Sequence, residues 1–412
     1  MKKILILGAG VGQIPLIKRA KSKGLYTVVV SPNGDYPGFE YADVVLHCDV
    51  SNQSEVLEYA KKQCINAIAT DQTDISAATV DYVARELKLP RIDCESIENF
   101  RDKSLMRLIC NKYGLPTIPF CIANTVDDFD QLDLIFQNLS ASKVIVKPVD
   151  SQGSRGINVV DSIQDLSKAF LYAQKYSKSS NVIIEKYIDG REVEVNSVIY
   201  DGHLVNSIIG DVYKFESLDT FSSYERKYPS ELNDNILEKL RDINLRTAVA
   251  LGLKTGWTHG EYIITDTGEI YLLEIGARGG GNFVGSDILR IMQGMSSDEM
   301  ALRTALGDMA FYDEICENYD FCALKSFYLP CGVISSIEID WEFINKDYIV
   351  CHPLNKIKLG SATVNNIDKT TRYTIIVNTK TRDELNNILQ SLPDHINIIV
   401  ETIHGQESII WK

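Results

Sequence analysis

Short apolar runs alternate with amphipathic stretches along the first hundred residues. Ile4–Leu7, Tyr26–Val30, Val44–Leu46 and Ile65–Ala69 are brief and β-rich, whereas Ile14–Lys23, Ser54–Lys62 and Ser76–Leu87 repeat apolar positions at helical spacing. That alternation predicts a parallel sheet with crossover helices. Leu89-Pro90 closes the pattern, and Asp102–Tyr113 reads as a helix opening a new unit, which sets a first domain at 1–98. From 144 to 275 the pattern changes to strands separated by turns, with helices expected over Ile163–Tyr176 and Ser230–Leu251, an α+β region. After about 315 come three β-rich runs, Ala323–Leu329, Gly332–Ile339 and Tyr373–Asn378, and one helical stretch, Arg382–Leu392. A small, mostly β domain is expected there, over 315–412, with 99–314 as the central domain. There is no internal repeat.

Within the central region, two apolar strands flank Thr267-Gly268, the mark of a hairpin. A two-residue loop there makes partners sum to 535, so Asp266 faces Glu269 and Glu261 faces Glu274. Like charges directly opposed in a sheet are destabilising. A shared proton, an arginine, a hard cation with oxygen ligands, a slipped register or full exposure would each relieve the repulsion. Behind Glu274 the chain exits through Ile275-Gly276-Ala277-Arg278, where a planar guanidinium suits an anion and is equally compatible with a surface arginine.

Upstream, Lys143–Pro148 is a strand carrying Lys147 at its end, held extended by Pro148. Asp150-Ser151-Gln152-Gly153-Ser154-Arg155-Gly156 follows, a loop able to fold backbone amides over phosphate oxygens or to serve as a plain turn. Glu185-Lys186-Tyr187-Ile188 ends a further strand, and Glu192 and Glu194 share the next strand's face by period two. That pair reads either as a solvated face or as a carboxylate for ribose hydroxyls. Gly8-Ala9-Gly10-Val11-Gly12 invites a dinucleotide reading, but Gln13 stands where the third glycine is required, and the second strand ends in Ser31-Pro32 without a ribose-binding acid. A structural strand-to-helix turn is the expectation. His259, Arg226 and Tyr228 are further candidates for a substrate pocket.

Composition narrows the classes. The 412 residues are 45% hydrophobic and 24% charged, ordinary for a globular chain. A net charge of −14 excludes a general nucleic-acid binder. The nine cysteines are scattered without a C-x-x-C pair, so neither a zinc site nor a disulfide framework is expected. No apolar run approaches the length of a membrane span, and the first residues lack a secretory core, so a cytoplasmic protein without membrane partners is expected.

Taken in order, these pieces resemble the ATP-grasp superfamily of carboxylate–amine and carboxylate–thiol ligases and related carboxylases. The resemblance spans about residues 1 to 310. It implies an N-terminal Rossmann-like parallel α/β domain, an ATP-grasp core of two α+β subdomains, and a small mostly β C-terminal domain. It also implies that Lys103 and Lys147 contact ATP phosphates under a loop of Ser151, Gly153, Ser154, Arg155 and Gly156. Glu185, Lys186, Tyr187 and Ile188 would form the adenine hinge, and Glu192 would bind ribose. Glu261 and Glu274 would hold magnesium, or manganese in its place, and Arg278 would stabilise the transferring group. The family continues E-x-N-x-R where this chain has Gly276, which removes one usual metal ligand.

Thr258-His259-Gly260-Glu261, Glu274–Arg278 and the C-terminal segment are most similar to the bacterial L-amino-acid ligase branch. The implied reaction joins a small carboxylic acid to an amine through an acyl phosphate, releasing ADP. A bicarbonate-activating carboxylase or formate-dependent ligase and a degenerate nucleotide-binding module are the alternatives. A homodimer is left open.

Overall fold

The computed structural model describes residues 1–124, 142–153, 155–215, 221–318, 320–351, 353–364 and 372–412. They divide into two compact units. The first comprises Met1–Gly190, Glu194–Ile208 and Leu232–Glu317; the second comprises Arg191–Val193, Ile209–Glu231 and Asn318–Lys412.

The first unit opens with the predicted parallel sheet. Strands β1 (Lys3–Leu7), β2 (Tyr26–Ser31), β3 (Val44–His47) and β4 (Ala67–Ala69) lie in the order β3-β2-β1-β4, with helix α1 (Ile14–Ser22) between β1 and β2, α2 (Gln53–Gln63) between β3 and β4, and α3 (Asp74–Leu87) after β4. Residues on β1 are buried on both faces, Ile4 and Ile6 in one core cluster and Leu5 and Leu7 in another. This explains why the strand reads as a continuous apolar run. At Gly8, where φ is +95°, the loop before α1 turns, and the Gly10 N–H donates to Gln13 Oε1 at 3.1 Å. Gln13 Nε2 in turn donates to the Asp71 carbonyl at 2.7 Å. The residue that breaks the glycine fingerprint therefore uses a loop amide itself, in keeping with a structural turn.

Strand β5 (Asp93–Cys94) leads to α4 (Lys103–Lys112), whose start is fixed by Asp102: its carboxylate accepts from the Ser104 and Leu105 amides at 2.7 and 3.2 Å. That cap makes Lys103 the first helical residue. A second, antiparallel sheet follows, in the order β6-β9-β7-β8, from β6 (Phe120–Ala123), β7 (Val144–Pro148), β8 (Asn158–Val160) and β9 (Val182–Lys186). The helix Ile163–Gln174 covers it, burying Leu166, Phe170 and Ala173 with Val144, Val146 and Val182. Strands β10 (Arg191–Tyr200), β11 (His203–Lys214), β13 (Leu253–Ile264) and β14 (Ile270–Gly276) follow, with the helix Asp234–Ala250 preceding β13; Arg191–Val193 of β10 and Ile209–Lys214 of β11 are counted with the second unit.

In the second unit, β12 (Ser223–Tyr228), β15 (Phe321–Phe327), β19 (Tyr373–Thr379) and β17 (Ile349–Cys351) lie in that spatial order. A smaller sheet orders β18 (Ala362–Thr363), β16 (Gly332–Ile339), β20 (Ile396–Thr402) and β21 (Gly405–Ser408) as β18-β16-β20-β21. The helix Arg382–His395 buries Leu385, Leu389 and Leu392 in a core shared with Phe327, Ile375 and Ile398. Strand β20 went unread in the sequence analysis although its apolar positions alternate. Tyr228, a candidate pocket residue, is instead fully buried, its ring so close to Gly210 that a Cβ there would sit 2.2 Å from it. Arg226 donates to Ser223 Oγ at 3.0 Å.

Candidate active site

The hairpin brings Glu261 opposite Glu274, but by a different route from the one expected. Its loop is longer than two residues: the Thr265 amide bonds the Glu269 carbonyl at 2.9 Å, the Gly268 amide bonds the Thr265 carbonyl at 2.9 Å, and Ile264 pairs with Ile270. Partners near the loop thus sum to 534, and Asp266 does not face Glu269. A bulge between the Tyr262–Leu272 and Glu261–Glu274 pairs inserts Leu273 and restores the sum of 535. The displaced Leu273 carbonyl accepts a hydrogen bond from Arg107 Nη2 at 2.8 Å.

Both glutamates keep access to solvent, with side chains 36% exposed at Glu261 and 28% at Glu274. Lys103 Nζ lies 2.9 Å from Glu274 Oε2 and donates to the Ser151 carbonyl at 3.1 Å, linking α4, the metal-strand candidate and the glycine-rich loop. Burial works against the Lys103 ammonium, yet the surrounding carboxylates, Glu274 foremost with Asp74 and Glu185, together hold its pKa above the ordinary lysine value. His259, on the same strand, is buried; its Nδ1 bonds Asn196 Oδ1 at 2.9 Å and its Nε2 lies 3.5 Å from Glu261 Oε1. The asparagine fixes the ring, which turns its other nitrogen toward the carboxylate.

A closed ionic cluster stands beside this. Glu185 is fully buried, with Lys147 Nζ at 2.6 Å on one oxygen and Arg107 Nε at 2.7 Å on the other. Lys147 pairs in register with Ile183 and Glu185 with Ile145, so the lysine and glutamate are diagonal neighbours across β7 and β9. Burial alone would raise the Glu185 carboxyl, but the two cations hold it down at about 2. Lys147 is shifted below the ordinary lysine value, chiefly by burial. The Glu185 carboxylate is thus engaged with its two cations. Glu192 forms its ion pair with Lys214, within the second unit.

The loop after β7 is tied down at its start, where Asp150 accepts from the Lys178 and Ser179 amides at 3.0 and 2.9 Å. Gly156 has φ +77°, and a Cβ there would lie 2.9 Å from Pro148 and Tyr176, so glycine is required twice over. Ser151 is partly buried, Gly153 and Arg155 are exposed, and Arg155 Nε donates to the Gln152 carbonyl at 3.2 Å. Ser154 lies outside the described residues. Lys186, Tyr187 and Ile188 are partly buried; the Lys186 amide bonds the Pro119 carbonyl at 2.9 Å and the Tyr187 amide the Lys143 carbonyl at 3.0 Å.

Arg278 makes a two-pronged ion pair with Asp74, the first residue of α3, at 2.8 Å from Nε to Oδ1 and 2.9 Å from Nη2 to Oδ2. This contact explains Gly276. A Cβ at that position would lie 2.8 Å from Asp74 Oδ1 and 3.2 Å from Arg278 Nε. Asp74, Arg107 and Asn196 escaped the sequence reading. Arg107 carried one usable signal, its position one turn after Lys103 on the same helix; Asp74, 204 residues from its partner, carried none.

Residues 109–282 match the family described as D-ala D-ala ligase C-terminus. Among curated relatives, D-alanine–D-alanine ligase A of Pseudomonas putida is 26% identical over 184 residues, 42% of this chain and 50% of the relative. D-alanine–D-alanine ligase of Trichlorobacter lovleyi is 32% identical over 170 residues, 39% of this chain and 50% of the relative. The chain therefore spans about half the length of these relatives. Among solved structures, L-amino acid ligase from Bacillus licheniformis is 18% identical with TM-score 0.80, covering 98% of this chain and 99% of that one. Phosphoribosylglycinamide synthetase from Anaerococcus prevotii is 23% identical with TM-score 0.76, covering 97% and 99%. At these identities the structures speak for the fold. Residues 109–282 thus match the D-Ala–D-Ala ligase C-terminal family, within a chain that shares the fold of these solved ligases.

Proposed function

We propose that this protein is an ATP- and magnesium-dependent carboxylate–amine ligase acting on an amino acid or small carboxylic acid. The observation that carries the reading is the in-register Glu261–Glu274 pair with the Lys103 ammonium on Glu274. Two partly exposed carboxylates supply hard oxygen donors that fit magnesium shared with phosphate oxygens. Among the described residues no group of three His, Cys, Asp or Glu side chains is placed to hold a metal ion, so phosphate oxygens and water would complete the coordination. A metal held there supplies positive charge to the oxygens of the transferring group.

The remaining residues act by position and charge. A substrate carboxylate oxygen attacks the γ-phosphorus, the bond to the β–γ bridging oxygen breaks, and ADP leaves. An amine nitrogen then attacks the acyl-phosphate carbon; phosphate departs and the amine loses a proton, leaving an amide. Lys103 and Lys147 would meet phosphates, the Ser151 to Gly156 segment would cover them, and Arg278 would face the anionic transferring group. The segment Glu185–Ile188 would border the adenine, with the Glu185 carboxylate orienting Lys147 rather than touching the base. Glu192 would take the ribose hydroxyls.

The match of residues 109–282 to the D-Ala–D-Ala ligase family supports joining two amino acids over carboxylating a nucleotide. The test is a pairwise panel of amino acids and small carboxylates, scored for ADP release with products read by mass. Amide product with stoichiometric ADP is expected. ADP release driven by bicarbonate alone would replace this reading with a carboxylase.

A further inference from the structure

An arginine side chain carries five N–H groups, and at Arg278 the structure accounts for three of them. Nε and Nη2 meet the two carboxylate oxygens of Asp74 at 2.8 and 2.9 Å, and Nη1 donates to the Gly279 carbonyl at 3.0 Å. One edge of the planar fork is thereby taken, and the direction of the two remaining N–H groups is set by the Asp74 carboxylate. The guanidinium also senses the open carboxylate pair. Burial opposes its charge, yet Asp74 first, and Glu274 and Glu261 after it, hold its pKa above the ordinary arginine value. This electrostatic reach connects Asp74, through Arg278, to the two glutamates of the hairpin.

Asp74 is itself held. In the segment between β4 and α3, the Thr70 hydroxyl donates to the Leu7 carbonyl at 2.8 Å, the Asp71 carbonyl accepts from Gln13 Nε2 at 2.7 Å, and the Asp71 carboxylate accepts from the Ser297 hydroxyl at 2.6 Å. The chain around Arg278 makes room for this segment with two glycines. A Cβ at Gly276 would lie 2.8 Å from Asp74 Oδ1, and one at Gly279 would lie 2.7 Å from Asp71 Oδ1. Neither glycine has a positive φ, so close approach and not backbone freedom requires them. The departure from the family pattern at 276 thus admits a carboxylate onto Arg278.

We infer that Asp74 is a positioning residue for the ligation: it holds the Arg278 guanidinium by one edge so that the remaining N–H groups meet one pair of oxygens on the transferring group. The inference rests on the ligase reading, in which Arg278 faces that group. In this role Asp74 touches neither substrate nor metal and acts only through Arg278. A guanidinium without this brace would have to be oriented anew in each turnover, which lowers the rate of the chemical step and leaves substrate affinity nearly unchanged.

The experiment measures kcat and KM for ADP release by the full chain on its most active carboxylate and amine pair, with melting temperature as the control for folding. Asp74→Asn keeps the shape and removes the charge; kcat should fall on the order of 100-fold with little change in the KM of any substrate. Arg278→Gln should lose at least as much. The double variant should match Arg278→Gln alone within about twofold, because Asp74 then has nothing left to position. A pair that only braced the fold would lower the melting temperature and leave kcat per folded molecule as in the parent. If Asp74→Asn fails to fold, Asp74→Glu keeps the charge and displaces the fork by one methylene, and kcat should fall about tenfold at unchanged KM. Parent-like kcat in the variant that folds, a rise in KM in place of the fall in kcat, or losses that multiply in the double variant would overturn the inference and leave the ligase reading standing. A parent chain that releases no ADP with any carboxylate and amine would sink the ligase reading and this inference with it.

Discussion

Two carboxylate sites of this chain are built on opposite principles. Glu185 is fully buried and closed, each oxygen carrying a cation. Glu261 and Glu274 are partly exposed, face each other as like charges, and leave Lys103 as the cation on Glu274. The buried cluster serves as a frame, holding Lys147 and the Leu273 bulge in place through Arg107. An open, strained pair retains a reason to bind something positive. The difference predicts that damage to the first appears as lost stability and damage to the second as lost chemistry.

The largest effect should follow from Arg107→Met. It leaves Glu185 with Lys147 alone, and breaking a buried ion cluster costs about 3–5 kcal/mol, read as a shift in the urea midpoint. A loss below about 1 kcal/mol would remove the frame role from this cluster. Next, Glu274→Gln should reduce ADP release about 100- to 1,000-fold, with little change in melting temperature. Retained turnover would move the metal elsewhere, and a collapse in stability would make the two carboxylate sites alike after all.

A smaller effect is expected at Gly276, the position that separates this chain from the family pattern. Gly276→Asn should not restore a ligand; it should collide with the Asp74–Arg278 pair and cost about 1–3 kcal/mol. Higher affinity for metal with unchanged stability would reverse that view. The smallest effect concerns pH. Burial, above all, pushes the Asp71 carboxyl up to about 7. An acid whose folded pKa exceeds its unfolded value, near 4, gives its full stability below the unfolded value and loses it as pH rises through the folded one. For Asp71 that window runs from about pH 4 to 7. Asp71→Asn should therefore melt a few degrees above the parent chain at pH 8 and converge with it near pH 4. A constant difference across that range would show the carboxyl ionised throughout. By contrast, Glu185, whose pKa is depressed, keeps its contribution above the unfolded value and loses it only as pH falls from about 4.5 toward 2.

Local grammar made much of this legible. Period and turn chemistry placed β1 to β4 and their helices, and Asp102 announced the start of α4 with Lys103 at its head. The opposition of Glu261 and Glu274 was read correctly from a loop read wrongly: a longer loop shifted the register by one and the Leu273 bulge shifted it back. Neither change is visible in side-chain pattern alone, because the bulge is stabilised by Arg107, more than 160 residues away in the chain. Strand β20 follows Pro393-Asp394, which read as a turn by sequence but lie in the helix Arg382–His395, so the helix runs directly into the strand.

The sequence by itself determined the parallel sheet β1 to β4 with its helices and the order of the chemical groups, since these depend on neighbours within a few residues. Tertiary structure decided which charges meet. Arg278 finds Asp74, and Arg107 and Lys147 share Glu185. Side chains that far apart are brought together by the packing of whole elements, and their energies depend on burial and distance, which sequence spacing does not encode.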